Sequence, residues 1–281
     1  MITKQEKRYV KNALWLSHTS LRDFLNCPRA FYFKNVYRDK TTGYKLQIAS
    51  PHLTLGSLVH DMVKWFLEMQ KQVGREQLLV RFDNFWLKYQ GKRGGFVSKE
   101  EEESFKDRGR KMLESFYDTA KILGKMVPTM DFPKYYLDDM VVLFGNLDYM
   151  EELPDGSLHI IDFKTGTKDE EDPLQLHIYA ILAEANLQKP VKKISYWYLD
   201  RDSEPKEAVL DSLEEKLGYL KQKGREIKKA IEVGEWVCSK SSAPSGAGCF
   251  DCQNYQAILD GKGEFQFEDF KFKKMVYFLP R

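Results

Sequence analysis

The pattern of apolar and polar positions is most informative over residues 141–166, where two apolar runs flank Pro154-Asp155-Gly156. Proline presets φ and glycine admits φ > 0, so this tripeptide carries turn chemistry. The flanking runs are predicted as hairpin strands at about 143–152 and 157–164. Upstream, apolar residues at 55, 58, 59, 62, 63 and 66 recur at helical spacing and predict an amphipathic helix over 55–70. The same period continues over 75–90 and 98–124, with Ser98-Lys-Glu-Glu101 as a capping box opening the second of these helices. Nearer the start, Ser17 or Thr19 can cap a short helix, and Pro28 suits the first position of another. After the hairpin the pattern predicts a helix from about 173, an aromatic and β-branched strand at 193–199, and a helix near 211–232. Phe265, Phe267, Phe270 and Phe272 mark a final strand or a tail that docks on a partner. This order of elements makes an α/β domain built around a mixed sheet flanked by helices.

Composition adds bounds. The chain has 281 residues, 42% hydrophobic and 14% aromatic, enough for a sizeable core. Helix-spaced aromatics such as Phe82, Phe85, Trp86, Phe105 and Phe116 belong to that core. The net charge of +2 predicts no nucleic-acid affinity by itself, though a local basic groove is permitted. Lys92, Arg93, Lys106, Arg108, Arg110 and Lys111 could cover or thread a nucleic-acid strand, and solvated helix faces explain them equally well. The start lacks an apolar signal region, and no stretch approaches the ~18 apolar residues of a membrane span. A cytoplasmic protein without a membrane partner is expected.

Candidate chemistry gathers on the hairpin. Asp148 lies on the first predicted strand and Asp162 on the second, and the period of two puts Lys164 on the face of Asp162. Two carboxylates suit a hard cation such as Mg²⁺ or Mn²⁺, and a lysine beside it can orient water or stabilise a phosphorane-like charge. The alternative is a cross-strand ion pair between Asp148 and Lys164. His60 lies at the edge of its helical stripe, where a hydrogen-bonded structural role is the ordinary one. Cys27 sits at a predicted helix junction, and Cys238, Cys249 and Cys252 fall in or beside a loop rich in Gly and Ser. Together they could form a Cys₄ site for zinc or an iron–sulfur cluster, and reduced, unligated cysteines are the alternative. Without a secretory signal, disulfides are not expected.

Gly145-x-x-Asp148, then Ile161-Asp162-Phe163-Lys164-Thr165-Gly166, then Gln175-x-x-x-Tyr179 resemble the PD-(D/E)XK nucleases of the RecB type, which include CRISPR-associated exonucleases. The resemblance extends to Ser17…Cys27-Pro28-Arg29 and to Gly56-x-x-x-His60, and so covers about residues 17–255. It implies a restriction-endonuclease-like mixed sheet with a helical insertion at about 72–128 inside a nuclease core of 55–234. An N-terminal helical segment (1–54) and a cysteine-rich loop with C-terminal tail (235–281) complete the chain. It further implies that Asp148, Asp162, the Phe163 carbonyl and His60 hold the metal, that Lys164 positions water, and that Gln175 and Tyr179 line the active site. Arg29 is implied to touch a DNA phosphate.

Relatives of this type hold a 4Fe–4S cluster with one early and three late cysteines, which implies Cys27, Cys238, Cys249 and Cys252 as ligands in preference to a zinc site. This chain departs in placing its close pair, Cys249 and Cys252, last. The implied activity is exonucleolytic cleavage of single-stranded DNA, in CRISPR adaptation beside its partner proteins or in recombinational repair beside a helicase. The alternative is a non-catalytic DNA-binding or scaffold subunit. Leu147 stands where many relatives place a proline.

Overall fold

A computed structural model describes residues 1–3, 5, 12–70, 72–128, 131–170, 172–239 and 248–280. Its first elements are strand β1 (Leu14–Leu16), helices α1 (His18–Asn26) and α2 (Pro28–Phe31), and strand β2 (Lys45–Ile48). Helices α3 (Pro51–Glu68), α4 (Arg75–Trp86) and α5 (Lys99–Thr119) follow. Next come strands β3 (Lys134–Tyr136), β4 (Val141–Phe144), β5 (Tyr149–Glu152) and β6 (Leu158–Lys164), helix α6 (Leu174–Leu187), and strands β7 (Val191–Tyr198) and β8 (Lys206–Ala208). Helices α7 (Leu213–Val233) and α8 (Phe250–Leu259) and strands β9 (Glu264–Asp269) and β10 (Lys274–Phe278) close the series. The class is mixed α/β, as expected. No helix among the described residues is long and apolar enough to cross a membrane.

The chain forms two compact units, one from Met1–His18, Gly56–Phe82 and Arg108–Lys228, the other from Thr19–Leu55, Asp83–Asp107 and Lys229–Arg281. The first unit holds a four-stranded sheet of order β5-β6-β7-β8, in which β6 runs antiparallel to β5 and parallel to β7. Both β6 and β7 are buried over most of their length, the state of strands covered on two faces, and for that reason they read as nearly unbroken apolar runs. Helix α6 lies against them, and every residue from Leu176 to Ala185 is buried. A polar row crosses the sheet interior, with His159 Nδ1 2.8 Å from Glu151 Oε1 and Nε2 2.8 Å from Ser195 Oγ. Ser195 is wholly buried, so no substrate reaches it; a one-residue slip of register would leave these groups without partners.

The strand expected over 143–152 is two strands. β4 ends at Phe144 and joins β1 and β3, while β5 begins at Tyr149 and joins β6. Gly145 passes so close to α6 that a Cβ there would stand 3.0 Å from Tyr179 Cε1. Beyond the Tyr149–Ile161 pair, the edge of β6 is completed by a side chain: Asp148 Oδ2 accepts the Phe163 N–H at 3.0 Å. The turn between β5 and β6 is as expected, with Gly156 at φ +82° and Asp155 Oδ1 accepting the Ser157 N–H at 3.0 Å. At the start of α5, Ser98 Oγ accepts the Glu101 N–H at 3.2 Å, and the Glu101 carboxylate accepts the Val97 N–H at 2.8 Å.

In the second unit β10 pairs in parallel with β2 and antiparallel with β9. The C-terminal aromatic stretch is therefore a hairpin that completes a sheet begun near the N-terminus. Phe33, Leu46, Tyr255 and Ile258 form its core, with the Phe33 and Tyr255 rings stacked at 6.2 Å.

Two glycines of α7 give opposite expectations. Nothing lies within 4 Å of a Cβ added at exposed Gly218, so Gly218→Ala should stabilise the protein by about 0.5–1 kcal/mol. A Cβ at Gly224 would stand 2.7 Å from Val141 Cγ1 on β4, so Gly224→Ala should destabilise by about 1–3 kcal/mol. Val141→Ala should cost less in the Gly224→Ala background than in the wild type, a coupling that urea titration of the four proteins reads directly.

Candidate active site

The end of β6 carries Asp162 inward, with only 2% of its surface exposed, and two residues later places Lys164 on the same face. Lys164 Nζ lies 2.9 Å from Asp162 Oδ2 and donates to Gln175 Oε1 at 2.6 Å. The other end of that amide, Gln175 Nε2, donates to Asp162 Oδ1 at 3.0 Å and to the Tyr179 hydroxyl at 2.9 Å. Gln175 and Tyr179 meet because they stand one turn apart on α6. Lys164 has Glu170 at 3.7 Å as a second carboxylate neighbour, and the cross-strand ion pair with Asp148 does not form. Asp148 instead faces His60, whose Nδ1 lies 3.2 Å from Asp148 Oδ2. Helix α3 comes close enough to present His60 because Gly56, one turn earlier, leaves room: a Cβ there would stand 3.3 Å from Thr165 Oγ1.

The electrostatics follow from burial. Desolvation, with the Asp148 carboxylate adding to it, pushes Asp162 up to about 7 despite the Lys164 ammonium. Burial opposes the charge on His60, but the Asp148 carboxylate outweighs it and raises His60 to about 9. Asp148 is also disfavoured by burial, yet the His60 charge and hydrogen bond and the Phe163 N–H hold it below the ordinary carboxylate range.

Asp162 Oδ2 is a buried acceptor with no hydrogen bond of proper geometry; the Lys164 ammonium approaches it only as an ion-pair partner. A buried Asp162 oxygen with unused lone pairs and a second carboxylate at Asp148, near enough to act on it, are hard donors of the kind that suit Mg²⁺ or Mn²⁺.

The PD-(D/E)XK nuclease superfamily profile matches residues 15–256. The chain belongs to the PD-(D/E)XK nuclease superfamily. Members of this superfamily are usually metal-dependent nucleases, which makes nucleic acid the substrate class. No curated protein matches the chain.

Two residues beside the candidate site, Glu170 and Tyr196, were not apparent from spacing, and Arg108, expected only as one of a set of basic residues, takes a bracing role. Glu170 is the second carboxylate near Lys164. Tyr196 is the β7 register partner of Asp162, and its ring lies beneath the Lys164 ammonium at 4.9 Å. Arg108 donates to the Thr165 carbonyl at 2.7 Å and pairs with Asp200 at 3.1 Å, bracing the backbone that follows Lys164. Only knowledge that β6 and β7 pair in parallel, and in which register, would have pointed to Tyr196.

In its second unit the nuclease carries all four cysteines together. The thiol sulfurs of Cys27, Cys238, Cys249 and Cys252 lie within 4.8 Å of one another, with Cys27 and Cys252 at 3.2 Å and Cys249 and Cys252 at 3.5 Å. Cys27 is the N-cap of α2, with Pro28 following as expected, and its sulfur accepts the Ala30 N–H at 3.4 Å. Burial pushes the Cys27 and Cys252 thiols up, so binding of a metal by these two sulfurs must release their protons. Four converging soft donors, three of them buried, fit a thiolate-bound metal. Arg29, also in this unit, donates to Gln256 Oε1 at 3.3 Å and lies over the Phe33 ring.

Two measurements test these sites. In the candidate site, Mn²⁺ held by Asp162 and His60 must displace the proton that Asp162 carries below about pH 7 and the one that His60 carries below about pH 9. Affinity measured by calorimetry should therefore rise by up to about a hundredfold per pH unit below 7 and up to about tenfold per unit between 7 and 9, and Asp148→Ala or Asp162→Ala should abolish binding; a flat pH profile would contradict the raised Asp162 and His60. At the cysteines, elemental analysis should find bound metal in the wild-type protein and little in Cys27→Ala or Cys252→Ala. Unligated cysteines predict none in any of the three.

Proposed function

We propose that this nuclease degrades single-stranded DNA from its ends in a reaction dependent on Mg²⁺ or Mn²⁺. The observation that carries the reading is the bonded set Asp162–Lys164–Gln175–Tyr179 beside the Asp148–His60 pair. A binding-only module has no need to bury Asp162 against a lysine. Asp148, Asp162, the Phe163 carbonyl and His60 would hold the metal, which when bound supplies Lewis-acid polarisation of the phosphate. Lys164 orients the attacking water and offsets charge that develops on the phosphoryl oxygens. Gln175 keeps that ammonium in place by accepting from it while its other end donates to Asp162, and Tyr179 fixes the amide in turn. Arg29 contacts a phosphate of the strand.

The resemblance to the RecB-type nucleases supports end-directed action, and with it a place in CRISPR adaptation or in recombinational repair beside a helicase. The same resemblance favours a 4Fe–4S cluster on Cys27, Cys238, Cys249 and Cys252 as a structural staple. A single Zn²⁺ with bonds of about 2.3 Å would suit the observed sulfur spacing directly, whereas a cluster of several irons would require the thiols to spread. Iron with acid-labile sulfide in anaerobically purified protein supports the cluster, and zinc alone overturns it.

Degradation of end-labelled single-stranded DNA tests the function. With Mn²⁺ or Mg²⁺ the wild-type protein should shorten the strand progressively from an end, and Lys164→Ala should lower kcat by about 10²–10³-fold, the usual loss of a charge-stabilising donor. Asp162→Ala should be inactive. No cleavage by metal-replete wild-type protein would sink the nuclease reading in favour of a non-catalytic DNA-binding subunit.

A further inference from the structure

Outside the active site, the sheet of the second unit sets two lysines side by side, with the Asp269 carboxylate across from one of them. Strands β2 and β10 pair in parallel with Lys45 opposite Lys274, an arrangement in which two ammonium groups repel. Arg38 adds a third cation. Its Nη1 donates to the carbonyls of Asn35, Val36 and Tyr37. Burial, then repulsion from Arg38 and Lys274, holds Lys45 below the ordinary lysine range, and burial does the same to Lys274.

Asp269, the β9 register partner of Lys274, favours that ammonium without closing an ion pair, and each nearby carboxylate is engaged by other donors. Asp23 binds Lys34 and Asn35, Asp39 accepts the Thr41 and Thr42 N–H groups, and Asp269 accepts the Phe272 N–H. None of the three cations forms an ion pair with a carboxylate among the described residues. An external polyanion would relieve that repulsion.

Next to this cluster, the turn between β9 and β10 presents Phe270 and Phe272 with 73% and 59% of their surface exposed. Lys271 and Lys273 flank these rings, and the ammonium groups of Lys271 and Lys274 lie 5.0 and 5.5 Å from the Phe272 ring. Lys273 takes φ +51°, so the tip is a tight turn and not a frayed end.

We propose that this hairpin and the adjoining edge of β2 form a binding track for single-stranded DNA, with phosphates over Arg38, Lys45 and Lys274 and bases stacked on Phe270 and Phe272. The inference rests on the reading of the protein as one that acts on DNA. Exposed rings interleaved with cations are what an unpaired strand offers partners for, because its base faces are open; in a duplex they are covered by neighbouring bases. An acidic protein segment would satisfy the lysines but gives the exposed phenylalanines no defined faces to stack on.

The test uses Asp162→Ala protein, which is expected to leave the strand uncut. Anisotropy of a fluorescein-labelled oligothymidine is read at several salt concentrations. Adding Phe270→Ala and Phe272→Ala should weaken binding by about tenfold or more with the salt slope unchanged. Adding Lys45→Gln and Lys274→Gln should reduce the slope of log K against log salt by about 1.4, at about 0.7 for each single-strand phosphate no longer neutralised. The two phenylalanines are exposed, so their removal leaves the fold intact, and matching thermal transitions check this.

Wild-type affinity in both variants, or no strand binding by the parent, overturns the inference and leaves the hairpin to a protein partner. The nuclease reading stands or falls separately, on cleavage by the protein with Asp162 in place. Hairpin-dependent binding without any cleavage would retain this inference and remove that reading.

Discussion

Asp162 sits near the end of a strand whose other side chains are mostly apolar, and a carboxylate so enclosed costs several kcal/mol to desolvate unless its surroundings compensate. Lys164 supplies charge and Gln175 supplies a hydrogen bond, but neither satisfies Oδ2 fully. Much of the surrounding architecture follows from keeping that incomplete compensation in place. Gly145 allows α6 to bring Tyr179, and with it Gln175, against the strand, and Gly56 allows α3 to bring His60 to Asp148. The break between β4 and β5 lets Asp148 complete the β6 edge at Phe163. These neighbours hold the Asp162 carboxylate in place and leave its Oδ2 without a hydrogen bond, which is what preorganisation means for a charged centre.

The two chemistries of the chain are organised differently. The active site draws its residues from α3, β6, α6 and the residue before β5, all within one unit, and several carry perturbed protonation equilibria. The cysteine cluster belongs to the other unit and makes little use of regular structure: Cys27 and Cys249 stand at helix N-caps and Cys238 in a connecting segment. Residues at helix ends can turn their side chains toward a common point without breaking a ladder of backbone hydrogen bonds. Such a point can be closed by sulfur–metal bonds where a small apolar core alone would be thin.

Much of this was legible in the sequence because it is local. The Pro154-Asp155-Gly156 turn, the helices of 55–70 and 98–124, and the pairing of Asp162 with Lys164 by alternation depend on residues close together in the chain. The convergence of Gln175 and Tyr179 rests on one helical turn, and the gathering of four cysteines was suggested by resemblance. What could not be read depends on partners far away. The run from Val141 to Glu152 keeps the alternation of a single strand, and only its meeting with Tyr179 and Phe163 divides it. Tyr196 lies beside Asp162 because two parallel strands adopt one register among several, and no local pattern specifies that choice. The tail of phenylalanines became a hairpin because β2, more than two hundred residues earlier, supplies an edge for it.

That last pairing has a consequence for biosynthesis. In the second unit the early strand β2 and Cys27 wait for β10 and Cys252, which leave the ribosome about 225 residues later, roughly 10–45 s at ordinary elongation rates. During that interval Phe33 and Leu46 lack Tyr255 and Ile258, the residues that later cover them. The first unit, built from Met1–His18, Gly56–Phe82 and Arg108–Lys228, is fully synthesised while Thr19–Leu55 still wait for these partners. The residues of the candidate active site are therefore all synthesised before Cys238, Cys249 and Cys252, and any metal that the four cysteines take up can be loaded only after the last of them has emerged.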